Sequence, residues 1–274
     1  MIKALLHRFH EDDESLLRFL PQKIADSIKQ KSEVASINFS SVLCVKKWVL
    51  PIHYSWFQSP LEQLPKQSLP LFLSLFSSGQ AKGLSSHFNL PPPEIKHGGF
   101  TQLFLSFYLK NIFLPEGVLP QELIPKSSMN ILLKISQKHL LCLVDFLGLF
   151  DLAADLKQIV DKQLITQIHS ILTKEQNLFL QDCSKRPSKW TSPKLGLTGW
   201  NGEKKKLDQL LHGRGLIRLA KSIAHEEASY RWYLVHRFDT SRGNMMLKEL
   251  KHPADPNLIP FFKGQVFDIV KRFK

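Results

Sequence analysis

The chain has 274 residues, 43% hydrophobic and 22% charged, ordinary globular usage and enough length to bury a core in one or two domains. Its formal net charge is +13 and its pI about 9.6, a balance that suits nucleic acid, an anionic membrane surface or an acidic protein face as partner. The three cysteines, Cys44, Cys142 and Cys183, are far apart and odd in number, which excludes a disulfide framework and a CxxC zinc pair; Cys44 and Cys142 lie in apolar runs, as reduced thiols do in a reducing cytoplasm.

The start, MIKALLHRFHEDDE, reaches acid before any apolar run long enough for a signal peptide, so a cytoplasmic location is expected. Residues 12–31 read as helix, with acid opposing the positive end of its dipole, a bend or break at Pro21, and Ile24 and Ile28 on one face. Ser41–Leu50 is β-branched and fits a strand or a short helix; strand is expected only in short pieces near 37–50. Pro51, Pro60, Pro65 and Pro70 hold any helix there to two or three turns, and 70–77 reads as buried helix. Gly79–Gly99, with prolines at 91–93, reads as a loop or linker. It divides the chain into regions 1–98 and 99–274, with one continuous domain as the alternative.

Beyond it, Leu103, Phe104, Phe107, Tyr108 and Ile112 follow helical spacing, and Pro115, Pro120 and Pro125 break the next stretch. Ile131–Ile171 reads as a long helical region, apolar on more than one face and therefore buried, with a helix junction at Gly148. The pattern is an αα-hairpin or a short helical stack. Its most apolar part, Leu140–Phe150, carries Asp145 and falls short of the about 20 residues of a membrane span. Residues 182–206 read as a basic, turn-rich surface connection. Helix returns over 205–250, and Phe262, Val266, Ile269, Val270 and Phe273 form one apolar stripe with Lys263, Lys271, Arg272 and Lys274 off it. The expected fold is mainly α: one or more irregular helical domains with at most short strands, not a regular bundle.

Signatures of chemistry are missing. His225-Glu226 begins like a zincin motif, but Ser229 stands where the second His belongs, and Gly213-Arg214-Gly215 is too short for a phosphate loop. There is no GxSxG elbow. Asp12, Asp13 and Glu14 are contiguous and fit a helix cap better than acid–base work; His7 and His10 lack further ligands for a metal. The expectation is therefore no enzyme, no catalytic residue, no cofactor, no metal and no small-molecule substrate.

Three surfaces remain as candidates. Residues 182–206 combine Lys185, Arg186, Lys189, Lys194 and Lys204–Lys206 with Trp190 and Trp200. Aromatics beside a positive groove can stack bases, but no nucleic-acid fold signature accompanies them, and a solvated basic loop is the favoured reading. Arg237, Asp239 and Arg242 are close enough to tie a turn by charge-assisted hydrogen bonds, or to present arginine beside Trp232 to a partner. The C-terminal stripe fits, in order, a helix docked on its own core, an anchor for a partner groove, and a membrane-surface contact. The candidate partner-binding residues are thus Trp232, Arg237, Asp239, Arg242, Phe262, Val266, Ile269 and Phe273.

Three stretches together resemble a known family. Pro51-Ile52-His53-Tyr54-Ser55-Trp56, followed by Leu61–Pro65, is similar to an early "P-x-Y-x-H" region and its Leu-Pro sequel, with the Tyr and His order inverted. Leu140–Val160 resembles a central apolar block with Leu-Gly-Leu passing into helix. His236–Gly243 resembles an "RLD-x-x-RG" turn near the C-terminus. The family is the accessory subunit of the type III secretion sorting platform, the SctK/YscK/OrgA type. The resemblance implies a non-enzymatic cytosolic scaffold, at times peripheral at the inner membrane. Its partners would be the inner-membrane ring's cytoplasmic domain, a pod subunit of the sorting platform and the ATPase stator. A nucleic-acid-binding protein using 182–206 is the alternative, and an enzyme with an unrecognised site comes third.

Overall fold

Prolines and side-chain caps cut the chain into short helices. The computed structural model of the protein describes residues Gln22, Asp26, 48–91, 99–186, Trp190, 193–197, 200–252 and 255–273. Met1–Lys47 is one unit and Trp48–Lys274 a second, which holds residues from both sides of position 98. The expected helix at 12–31, apart from Gln22 and Asp26, and the strand or helix at 41–47 lie outside the described residues; Trp48–Leu50 form a turn. No strand occurs among the described residues, and the fold is mainly α and irregular, as the periodicity predicts.

The proline-rich segment folds as expected into short pieces: a 3-10 turn Tyr54–Phe57, helix α1 (Gln58–Glu62), a 3-10 turn Lys66–Ser68 and helix α2 (Leu69–Leu73). Phe72, Leu73, Leu75 and Phe76 are buried as expected, but the helix expected at 70–77 ends at Leu73 and the chain turns at 74–76.

The expected loop from Gly79 is instead helix α3 (Ser78–Phe88). A capping box explains it: the Ser77 hydroxyl accepts from the Gln80 N–H while the Gln80 side chain takes the Ser77 N–H. Buried Gln80 also donates to the carbonyls of Val49 (2.9 Å) and Ile52 (2.7 Å). Gly83 is in the helix for packing, because a Cβ there would lie 2.8 Å from the Tyr54 ring. Asn89, at φ 53°, closes the helix in the left-handed region.

Helix α4 (Gly99–Phe113) follows, then 3-10 turns at Gln121–Leu123 and Ser128–Leu133. Ser136 caps α5 (Gln137–Leu156), Asp161 caps α6 (Lys162–Ile171), and a Thr173–Gln176 capping box opens α7 (Lys174–Ser184). Beyond lie α8 (Lys204–Ile223), α9 (Ala228–His236), α10 (Thr240–Leu250) and α11 (Ile259–Val270).

The junction expected at Gly148 is absent: α5 runs through it, and the break comes at 157–161. Gly148 serves a helix crossing. A Cβ on Gly148 would collide with the Leu211 carbonyl of α8, and one on Gly215 with the Val144 carbonyl of α5. Two glycines therefore let α5 and α8 approach backbone to backbone. Around that crossing α7 packs on α5, α10 on α8, and α11 on both α5 and α8. The shared core includes Leu140, Leu143, Val144, Leu147, Leu211, Leu216, Leu219, Val266 and Ile269. Burial of each such side chain contributes about 1.5–3 kcal/mol.

Charge is also buried here. Arg218 of α8 donates to Asp151 of α5 and, at 2.7 Å, to Gln265 of α11, and all three side chains are buried. Burial lowers the Arg218 pKa and the Asp151 carboxylate opposes that shift. The guanidinium lies 4.8 Å from the Trp190 ring centroid. Asp155 accepts from the Leu195 N–H at 2.6 Å, and Leu195 and Leu197 are buried. The basic 182–206 connection is thus pinned to the core at several points; its Lys204–Lys206 are exposed.

Candidate functional site: the junction around residues 236–243

Residues 236–243 join α9 to α10, and two distant stretches of chain close on them. From one side comes the Pro51–Trp56 segment. The His53 N–H donates to the His236 carbonyl (2.8 Å), Trp56 Nε1 to the Phe238 carbonyl (2.7 Å), and the Thr240 N–H to Ser55 Oγ (3.0 Å). The Trp56 and His236 rings lie 4.2 Å apart, and Trp232 stacks on His236 at 4.1 Å. Gly243 is required here, since a Cβ would enter the Trp56 ring.

From the other side comes α5. Asp145 Oδ1 lies 2.6 Å from His212 Nδ1, and Arg242 Nε donates to His212 Nε2 at 2.8 Å. Nε2 accepts and therefore carries no proton in this arrangement, which leaves the Nδ1 proton for Asp145. Arg242 is also paired with Asp239, which caps α10 by accepting from the Arg242 N–H at 3.0 Å. The result is a continuous chain, Asp145–His212–Arg242–Asp239. It forms one wall of an open cleft of about 660 Å³ between α5, α8 and α10, floored by Leu141, Leu216 and Met245.

The electrostatics follow from this packing. Burial pushes the His236 imidazole down to about 4, against the Trp232 carbonyl that accepts from its ring. Burial also lowers His53, with Asp239 opposing and Arg242 reinforcing the shift. For Asp239 burial alone would raise the carboxyl, but the backbone and guanidinium donors of Arg242 hold it below the usual carboxylate range.

Of the sequence-predicted residues, Asp239 and Arg242 form the expected pair and line the cleft. Arg237 does not join them: it is buried and donates to the Leu132 and Ile135 carbonyls, while its own carbonyl accepts from Gln137 Nε2. It braces the turn before α5. Trp232 is half-buried in the ring stack. Phe262, Val266 and Ile269 are buried under α11, in the core-docked arrangement placed first for the stripe. Phe273 is half-buried and stacks on His139 at 4.9 Å; with Ile269 it borders a groove of about 450 Å³. His53, Asp145 and His212 are not among the candidate residues read from the sequence, although His53 and Asp145 lie in stretches that resemble the family. No local spacing connects them, because their partners lie far along the chain.

Among the described residues no group of His, Cys, Asp or Glu is arranged to hold a metal ion, and no helix is long and apolar enough to cross a membrane. Compared with known proteins, this chain matches no family model, no curated protein and no solved structure.

Proposed function

We propose that the protein is a non-enzymatic scaffold of the type III secretion apparatus, joining the inner-membrane ring to the cytoplasmic sorting platform. One observation carries the reading. The three stretches that resemble the family are far apart in sequence, yet they meet: Pro51–Trp56 and the α5 block both close on His236–Gly243, the latter through the Asp145–His212–Arg242 chain. The polar groups there are committed to one another, which suits a structural joint better than a reaction centre.

The nucleic-acid alternative loses part of its basis. Trp190 packs on Arg218 and against Phe262 (5.3 Å), and Trp200 is partly buried against the core. Both rings are already engaged with protein, whereas a stacking platform needs free faces.

The test is genetic. Removing the gene from its host should stop type III export while other secretion continues, and the wild-type chain should restore it. Undiminished type III export in the deletion strain would rule the reading out.

A further inference from the structure

The first turn of α10 is tied to α8 through a ring nitrogen that has to be bare. Arginine is always protonated, and Arg242 donates from Nε to His212 Nε2 at 2.8 Å. The other ring nitrogen, Nδ1, lies 2.6 Å from Asp145 Oδ1 of α5. A neutral imidazole satisfies both partners, donating to one and accepting from the other. An imidazolium donates from both nitrogens. It keeps Asp145, more tightly than before, and can no longer accept from Arg242. Two cations then stand nitrogen to nitrogen, and like charges at that separation repel. Arg242 has somewhere to go, since its guanidinium is 43% exposed and paired with Asp239.

The far end of α10 is held differently. Glu249 pairs with Lys221 of α8 at 2.6 Å and Met246 is buried in the core; neither contact involves an imidazole. The first turn also keeps its bond to the proline-rich segment, from the Thr240 N–H to Ser55 Oγ. We infer that His212 is a proton-operated latch: a second proton on its ring releases the first turn of α10 from α8, widens the cleft between them, and leaves the tie from α8 to α5 in place. The proton has access, because the ring borders the open cleft and is 17% exposed. The charged groups lining that cleft with it are Asp145 of α5, Lys205 and Asp208 of α8, and Asp239 and Arg242 at the head of α10. Three carboxylates against two cations accommodate a further positive charge. Imidazole is the side chain that exchanges this proton between pH 5 and 8. The inference stands on this geometry and does not depend on the secretion assignment.

The test uses the full chain and two readouts at pH 7.5 and pH 5.5. Ring-nitrogen NMR on isotope-labelled histidine, with His212 assigned by its loss in His212→Gln, should show Nε2 bare at pH 7.5 and protonated at pH 5.5. Hydrogen–deuterium exchange, corrected for its intrinsic pH dependence, should show peptides within 240–247 about tenfold less protected at pH 5.5, the effect of one charge-assisted hydrogen bond, with α5 and α8 unchanged. In His212→Gln the amide donates to Asp145 and accepts from Arg242 at either pH, so protection of 240–247 should stay constant. In Arg242→Ala it should be low at both, with no further fall in acid. Four results overturn the proposal: an Nε2 protonated at pH 7.5 or bare at pH 5.5; wild-type protection of 240–247 that does not fall; an equal acid-driven fall in His212→Gln or Arg242→Ala, which would place the effect on His53 and His236, whose pKa values burial lowers; or a fall shared equally by α5 and α8, which would mean acid destabilisation of the whole fold.

Discussion

At the scale of single residues, the junction at 236–243 sets how the protein responds to acid. His236 is buried against Trp56 and Trp232 with its pKa pushed down to about 4, so the unfolded chain binds its proton near pH 6.5 and the folded chain does not. Stability should fall as pH drops from about 6.5 to about 4, by roughly 3 kcal/mol, and then level off for this group. His53, also lowered, acts in the same sense below pH 6.5. Asp239 acts lower: its folded pKa is depressed, so its contribution is present above its ordinary value of 3.8 and lost as pH falls through the folded value. Urea unfolding followed by tryptophan fluorescence at pH 7, 5.5 and 4.5 should show the His236 loss, and His236→Phe should flatten much of it. An equally steep slope in that variant would show the burial argument wrong. Asp239→Ala removes the α10 cap and should cost about 1–2 kcal/mol at pH 7; the exposed half of its Arg242 pair adds little.

At the scale of elements, the glycines separate two kinds of site. Alanine is the better helix former, yet Gly148→Ala or Gly215→Ala should destabilise by about 2–3 kcal/mol or prevent folding, because each methyl meets a backbone carbonyl that cannot move aside. Gly264 on α11 has open space around it, and Gly264→Ala should stabilise by up to about 1 kcal/mol. Matching effects at the three positions would deny the close crossing. Deleting 261–274 removes Phe262, Val266, Ile269 and Val270 from the core, so the truncated protein should aggregate or lose its cooperative melt. Helices were legible where apolar periodicity ran long, at 100–112, 131–171, 205–250 and along the 262–273 stripe, although 205–250 divides into α8, α9 and α10. Alpha-3 was not, because Gly79 and Gly83 read as breakers while the capping box at Ser77 and Gln80 is a two-residue signal. Gly148 also reads alone as a helix breaker; only with Gly215 opposite does it become a contact. The Asp239–Arg242 pair was legible because it is local. His53, Asp145 and His212 were not, since a chain of hydrogen bonds across three elements leaves no spacing in the sequence.

At the scale of the molecule, a net charge of +13 ensures some affinity for any polyanion, so bare binding to DNA decides little. The salt dependence does decide, because neutralising several phosphates makes affinity fall steeply with salt, while apolar anchors respond weakly. A scaffold reading also requires a partner-facing surface, and among the described residues Phe104 and Phe107 of α4 are large exposed aromatics. The most direct measurement is calorimetric titration of the purified chain with the cytoplasmic domain of its host's inner-membrane ring and with the pod subunit of the sorting platform, at a salt concentration that releases generic DNA. The account predicts saturable binding to each and a single complex containing all three. Absence of binding to both, with tight and steeply salt-dependent binding to nucleic acid, would contradict it.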